Sequence, residues 1–281
     1  MRVSVVIPTY NRADFVREAV ASVLQQDYPH VELIVVDDGS RDGTAAVVGE
    51  FGPAVQYLWQ ENRGVSAARN RGVAASTGNL IAFLDSDDLW LPHKVSAQVA
   101  YFEAHPDAQA CHTDEIWMRR GVRVNERRIH RKQGGWQFLA SLPRCLISPS
   151  AVMMRRTLWN RLGGFDESLP ACEDYDLWLR LTAVVPVGFL PDRLVIKRGG
   201  HADQLSRRIP ALDRYRIKAL EKALATPLPP AHRRAVLEQL VAKCHIVAQG
   251  ARKRQHTDRW TRYAAKEQQH RLRLYGESRP S

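Results

Sequence analysis

Two short apolar runs near the N-terminus restrict the fold more than any other feature of the chain. Val3-Ser4-Val5-Val6-Ile7 and Leu33-Ile34-Val35-Val36 each have the length and residue types of a buried strand. Between them Phe15, Val16, Ala19, Val20, Val23 and Leu24 recur at helical spacing, and Pro29 closes the connection. Strand, helix and strand take about the thirty residues of a βαβ unit. Such a crossover makes the strands parallel and covers them on both faces, which explains their continuous apolar character. Val55-Gln56-Tyr57-Leu58 and Leu80-Ile81-Ala82-Phe83-Leu84 continue the series, with an Ala-rich helix over 66–76 between them. The pattern predicts an α/β fold: a mostly parallel, Rossmann-like sheet flanked by helices.

In open α/β sheets, ligands bind at the carboxyl ends of the strands. Three strands here end in ligand-type residues. The first runs into Pro8-Thr9-Tyr10-Asn11-Arg12, which lacks the glycines of a dinucleotide fingerprint or a P-loop. A rigid Pro, a hydroxyl, an aromatic ring and a guanidinium suit a nucleobase instead, although a plain polar turn has the same composition. The second strand ends in Asp37-Asp38, able to accept from a base N–H or to cap the next helix. The fourth ends in Asp85-Ser86-Asp87-Asp88, three carboxylates in four residues. Like charges so close call for a cation. Hard oxygen ligands favour Mg²⁺ or Mn²⁺ over zinc, unless the segment is only a solvated acidic turn.

Beyond residue 110 the alternation weakens. Arg119 to Lys132 carries seven basic residues and one Glu and reads as a hairpin or a mobile loop. Ser150 to Met154 reads as a strand, Thr157 to Leu162 and Glu173 to Ala183 as helices, and Phe189-Leu190 and Leu194-Val195-Ile196 as two short strands. From Pro210 the pattern is helical, interrupted at Pro227-Leu228-Pro229-Pro230. No apolar run reaches membrane-spanning length, and Met1-Arg2-Val3 passes straight into a strand without a secretory h-region. Cys111, Cys145, Cys172 and Cys244 are scattered, as expected of a reducing cytosol rather than a zinc site or disulfide framework. The net charge of +11 is uneven: residues 1–205 hold 23 Lys and Arg against 24 Asp and Glu, and residues 206–281 hold 18 against 6. A catalytic domain over 1–205 and a basic helical extension over 206–281 follow as the expected organisation.

The motifs together resemble the family-2 glycosyltransferases of GT-A fold. The resemblance rests on Val5-Val6-Ile7-Pro8-Thr9-Tyr10-Asn11, Val35-Val36-Asp37-Asp38-Gly39-Ser40, Asn62-Arg63-Gly64 with Ala68-Arg69-Asn70, and Phe83-Leu84-Asp85-Ser86-Asp87-Asp88. Gly163-Gly164-Phe165-Asp166 and Glu173-Asp174-Tyr175-Asp176-Leu177-Trp178 follow in family order, so the likeness covers roughly 1–205. It implies a nucleotide-diphosphate sugar donor and Mn²⁺ or Mg²⁺. It places the nucleotide sugar near Pro8, Thr9, Tyr10, Arg12, Asp38, Arg69 and Asp85. The metal falls to Asp87, with Asp88 and a late His201 as helpers. Asp174, with Glu173 second, becomes the base that takes the acceptor proton, since an inverting transfer needs a carboxylate there. Asp166 and Trp178 are the acceptor candidates, although Trp90 and Trp178 are of a type more often core than sugar platform.

The implied activity is an inverting, metal-dependent transfer to a hydroxyl of a glycan or lipid-linked glycan in surface polysaccharide synthesis. An inactive nucleotide-sugar-binding or scaffold relative is the competing reading, and the intact carboxylates speak against it. A nucleic-acid role ranks last: residues 206–281 carry few aromatics and no recognisable module. The expected location is cytoplasmic, with the extension touching an anionic membrane at its inner face.

Overall fold

A computed structural model describes residues 1–125, 128–201 and 209–276. Its first half follows the expected alternation: β1 (Val3–Thr9), α1 (Ala13–Leu24), β2 (Val31–Asp37), α2 (Thr44–Gly49), β3 (Gln56–Trp59), α3 (Val65–Ala74) and β4 (Leu80–Phe83). Then come β5 (Leu89–Trp90), α4 (Lys94–Ala104), β6 (Ala110–Arg119), β7 (Val122–Val124), α5 (Phe138–Ser141), β8 (Val152–Arg155), α6 (Arg156–Leu162), α7 (Glu173–Thr182) and β9 (Gly188–Gly199). Helices α8 (Asp213–Leu224), α9 (Pro230–Lys253) and α10 (Thr257–Gly276) complete the order. One sheet runs β3-β2-β1-β4-β8-β6-β9-β5, with β7 beside β6. The pairs β1/β2, β1/β4 and β2/β3 are parallel, so the ends of β1, β2 and β4 open on one edge. One apolar layer, with Val5, Ile7, Val20 and Val35, packs α1 on one face of the sheet; Val6, Val36, Ile81 and Trp178 form the other layer.

Two elements differ from expectation. β6 is a ten-residue strand deep in the sheet. The sequence hides it because His112 and Glu115 are buried along it with hydrogen-bond and ionic partners rather than apolar ones, and Thr113 is buried between them. The two short strands around 190 and 195 are one strand, β9. Its pairing with β6 continues past Pro191 and Arg193 through register shifts at Asp114.

The C-terminal helices are not a detached appendage. Ile217, Leu220, Leu224, Leu237, Leu240 and Val247 share one apolar cluster with Tyr175 and Leu179 of α7 and Phe138 of α5. Burying each such Leu or Ile contributes about 1.5–3 kcal/mol. Deleting these helices would therefore strip the back of the helix that carries Glu173 and Asp174. The expected boundary at 205/206 lies outside the described residues.

Candidate active site

The sheet edge frames an open cleft of about 1270 Å³, lined by the turns after β1 and β4, the start of α3, the start of α7 and the end of β9. Pro8, Thr9, Tyr10, Arg12, Asp38, Arg69, Asp85, Asp87, Asp88, Glu173 and Asp174 all line it. The residues singled out for donor and base thus converge from five segments on one space.

Arg69 joins the two halves of the site. It is 3% exposed, and its guanidinium donates to Asp85 at 2.7 Å and to Glu173 at 2.8 Å. Burial works against its charge, but the two carboxylates outweigh that and hold it above its ordinary value. Phe165 lies 4.9 Å from the same guanidinium. The neighbouring carboxylates of α7 are treated differently. Burial and the adjacent Asp174 push Glu173 up, while Arg69 pulls it back. Asp174 is half-buried; its Oδ1 accepts from the Tyr175 N–H at 2.6 Å, and the Cys145 thiol lies 3.4 Å from its Oδ2. Cys172, just before them, sits at φ +61, so the chain enters α7 through a left-handed residue that costs a side chain about 1–2 kcal/mol.

The three carboxylates after β4 also divide. Asp87 pairs with Arg12 at 2.9 Å, and His201 Nε2 lies 2.9 Å from the same carboxylate. His201, far away in sequence, is therefore brought to the same carboxylate as expected. Asp88 points elsewhere. It is 2% exposed, taking the Ser150 hydroxyl at 2.6 Å on Oδ2 and the Arg198 N–H at 2.9 Å on Oδ1. Burial and the nearby Asp87 push its carboxyl well above the usual range.

Three expected ligands make other contacts as well. Asp38 pins the loop after β3, accepting from Gln60 Nε2 at 2.7 Å, the Arg63 N–H at 2.9 Å and the Gly64 N–H at 2.8 Å. Gly39 beside it has φ +88, and a Cβ there would meet the Asn62 nitrogen at 2.9 Å. Asp166 pairs with Lys222 of α8 at 2.5 Å and accepts from the Ser168 N–H. Despite partial burial these partners hold its carboxyl down to about 2. Glu167 and Ser168 line the cleft in its place. Trp178 is corrected outright: it is 1% exposed and packs beneath the sheet with Phe165, because the apolar stripe of α7 faces inward.

Sequence reasoning missed Lys197 and Arg198. Both line the cleft from the end of β9. Arg198 donates to the Asp87 carbonyl at 2.5 Å and pairs with Glu18. Lys197 donates to Ser148 at 3.2 Å, and Glu115, Asp88 and Asp85 keep it charged against burial. The available signal was two adjacent cations before Gly199-Gly200, at the end of a strand.

Behind Lys197, Glu115 pairs with Lys132 at 2.8 Å, both side chains being buried. Burial would raise the Glu115 carboxyl, yet Lys197 and Lys132 depress it to about 2. A carboxylate depressed below its unfolded value stabilises above about pH 4 and loses that contribution as pH falls toward 2, here about 3 kcal/mol. Glu115→Gln should flatten this part of the acid limb in urea midpoints measured from pH 2.5 to 6. An unchanged slope would assign the acid sensitivity to other carboxylates.

Residues 4–162 match the glycosyl transferase family 2 signature, more than half of the chain. The chain belongs to glycosyl transferase family 2. An uncharacterized glycosyltransferase of Rickettsia conorii is 31% identical over 222 residues, which cover 74% of this chain and 35% of that protein. The chain thus spans about a third of that relative's length. Among solved structures, Staphylococcus aureus TarS in complex with UDP-GlcNAc superposes with a TM-score of 0.78 at 19% identity, over 94% of this chain and 79% of that one. The mannosyltransferase PcManGT of Pyrobaculum calidifontis, in complex with GDP-Man and Mn²⁺, gives 0.58 at 20% identity, over 99% and 88%. These likenesses establish the GT-A fold.

Proposed function

We propose that the chain is an inverting, metal-dependent glycosyltransferase. It would move a sugar from a nucleotide-diphosphate donor to a hydroxyl of a glycan or lipid-linked glycan, in surface polysaccharide synthesis. The observation that carries this reading is the Arg69 bridge, which ties the carboxylate expected at the donor, Asp85, to the helix end expected to hold the base. The nucleotide sugars bound by TarS and PcManGT support the donor class.

The residues fit a hard divalent ion. Among the described residues no group of three or more His, Cys, Asp and Glu side chains is gathered for a metal. Asp87 and His201 converge as a pair, and Mg²⁺ or Mn²⁺ typically takes one or two protein groups plus substrate phosphates. When bound, the ion would stabilise the charge that develops on the leaving nucleoside diphosphate. Arg12, Arg198 and Lys197 add fixed positive charge around the same place. Pro8 and Tyr10, the latter 41% exposed, offer a face to the nucleobase. Asp174 takes the acceptor proton as the hydroxyl attacks the anomeric carbon. Glu173, held by Arg69, positions the helix end. An acceptor carried on a lipid would place the enzyme at the inner face of a membrane.

A panel of nucleotide sugars tests this by thermal shift and donor hydrolysis, with and without Mn²⁺. The matching donor at a hundredfold excess over Kd should add about 2.7 kcal/mol of stability. Donor binding without hydrolysis or transfer would favour an inactive sugar-nucleotide-binding relative; no binding across the panel would overturn the reading.

A further inference from the structure

A basic stretch beside the cleft carries apolar side chains on its outside. Along residues 119–144, Arg119, Arg120, Arg123 and Arg131 are exposed, whereas Lys132 is turned inward against Glu115. Within that stretch Val122 is 65% exposed, Ile129 50%, Trp136 66% and Leu139 49%. Single exposed apolar residues are ordinary, but four bulky ones interleaved with guanidiniums are not. Two contacts bring the segments side by side. The His130 ring lies 5.3 Å from Trp117 of β6, along which β7 with Val122 runs. Arg144 donates to the Ile129 carbonyl at 2.8 Å, fastening that segment beside α5, which bears Leu139. The same surface borders the cleft. Lys197 Nζ lies 6.0 Å from the Trp117 ring, and the Arg120 N–H donates to Gly199 at 3.1 Å, two residues before His201.

We propose that this surface seats the protein on an anionic lipid bilayer. A soluble polyanion would use the cations and gain nothing from Trp136, Leu139, Ile129 and Val122. A bilayer interface uses both: the indole sits at headgroup level, aliphatic tips reach beneath it, and Arg meets the phosphates. The extension over 206–281 has the larger total charge but the weaker local one. Its eighteen Lys and Arg are spread over 76 residues with six acids. Of those acids Glu238, Glu267, Glu221 and Asp213 pair with Arg234, Arg271, Lys266 and Lys243. Its main apolar stripe is spent on the cluster with Tyr175, and its exposed Ile246, Trp260, Leu272 and Tyr275 are spread over α9 and α10, none of them lining the cleft. The membrane contact expected of the extension therefore moves to the 119–144 surface, beside the cleft.

Co-sedimentation of the full chain with phosphatidylcholine vesicles, with and without one-quarter phosphatidylglycerol, tests this at low salt. Donor and metal are omitted, so the result is independent of glycosyl transfer. Binding is expected to the anionic vesicles only. Trp136→Ser should lower the partition coefficient about tenfold, as half-burial of an indole implies. Arg123→Glu with Arg131→Glu should lower it about twentyfold or more, at roughly fivefold per cationic contact. Arg252→Glu with Lys253→Glu should leave it within about twofold. All these side chains are exposed, and unchanged thermal midpoints would exclude misfolding. Wild-type binding by Trp136→Ser would mean charge-only attraction and overturn the bilayer assignment. So would loss of binding in the Arg252 and Lys253 variant alone, or negligible binding of the wild type to both vesicle types.

Discussion

Asp174→Asn should bind donor as the wild type does and transfer sugar about 10²–10⁴-fold more slowly, the usual worth of a general base. The substitution keeps shape and removes only the proton acceptor. The Tyr175 N–H still finds an oxygen at the same place, so α7 should begin as before. Glu173→Gln should behave differently, because Glu173 is 5% exposed and bound to Arg69. Removing its charge leaves Arg69 buried with only Asp85, but it also relieves the burial and the Asp174 repulsion that push Glu173 up. The loss should therefore be smaller than that of a simply broken buried pair, about 3–5 kcal/mol. Its defect should therefore appear in the thermal midpoint as well as in turnover. Kd for the donor, single-turnover transfer and the midpoint, measured on both variants, separate the roles. If Glu173→Gln lost transfer alone while Asp174→Asn remained active, the two carboxylates would exchange functions.

The difference between the neighbours was invisible in the sequence, where Glu173 and Asp174 are simply adjacent. What the sequence does reveal is whatever short-range pattern dictates. Val3–Ile7, Leu33–Val36 and Leu80–Leu84 announce parallel strands because both faces are buried in apolar layers. The carboxylates after β4 mark the edge of the cleft for the same local reason. Long-range pairing is where legibility ends. β6 is stabilised by Glu115 with Lys132 and by His112 with the Gln133 carbonyl, partners that no periodicity marks. Asp88 looks equal to Asp87 until Ser150 and the Arg198 backbone, 62 and 110 positions away, claim both of its oxygens. Trp178, a residue type more often core than sugar platform, is buried by the inward stripe of α7.

Asp87→Ala should abolish metal-dependent donor binding and also lower the stability of the free protein. Sequence alone suggests the opposite sign for the second effect, since removing one of three clustered carboxylates relieves repulsion. The geometry reverses it. Asp87 neutralises Arg12 and lies 2.9 Å from His201, with all three side chains largely shielded. Removing the carboxylate leaves the guanidinium facing the imidazole, and hydrogen bonds to charged groups are worth about 1.5–3 kcal/mol each. Part of that returns through water and through the lost repulsion from Asp85 and Asp88, so a net loss of about 1–2 kcal/mol is expected. Asp88→Asn is the informative contrast. Its carboxylate serves Ser150 and the Arg198 N–H, but burial and Asp87 disfavour its charge. The neutral amide should therefore leave the stability of the free protein unchanged or raised while keeping the Mn²⁺ dependence of donor binding. Electron paramagnetic resonance of free and bound Mn²⁺, with nucleoside diphosphate present, reads the metal directly, and urea midpoints without metal read the fold. Unchanged Mn²⁺ binding in Asp87→Ala, or its loss only in Asp88→Asn, would move the cation from Asp87 to its neighbour. It would also leave Arg12 and His201 as purely structural partners of that turn.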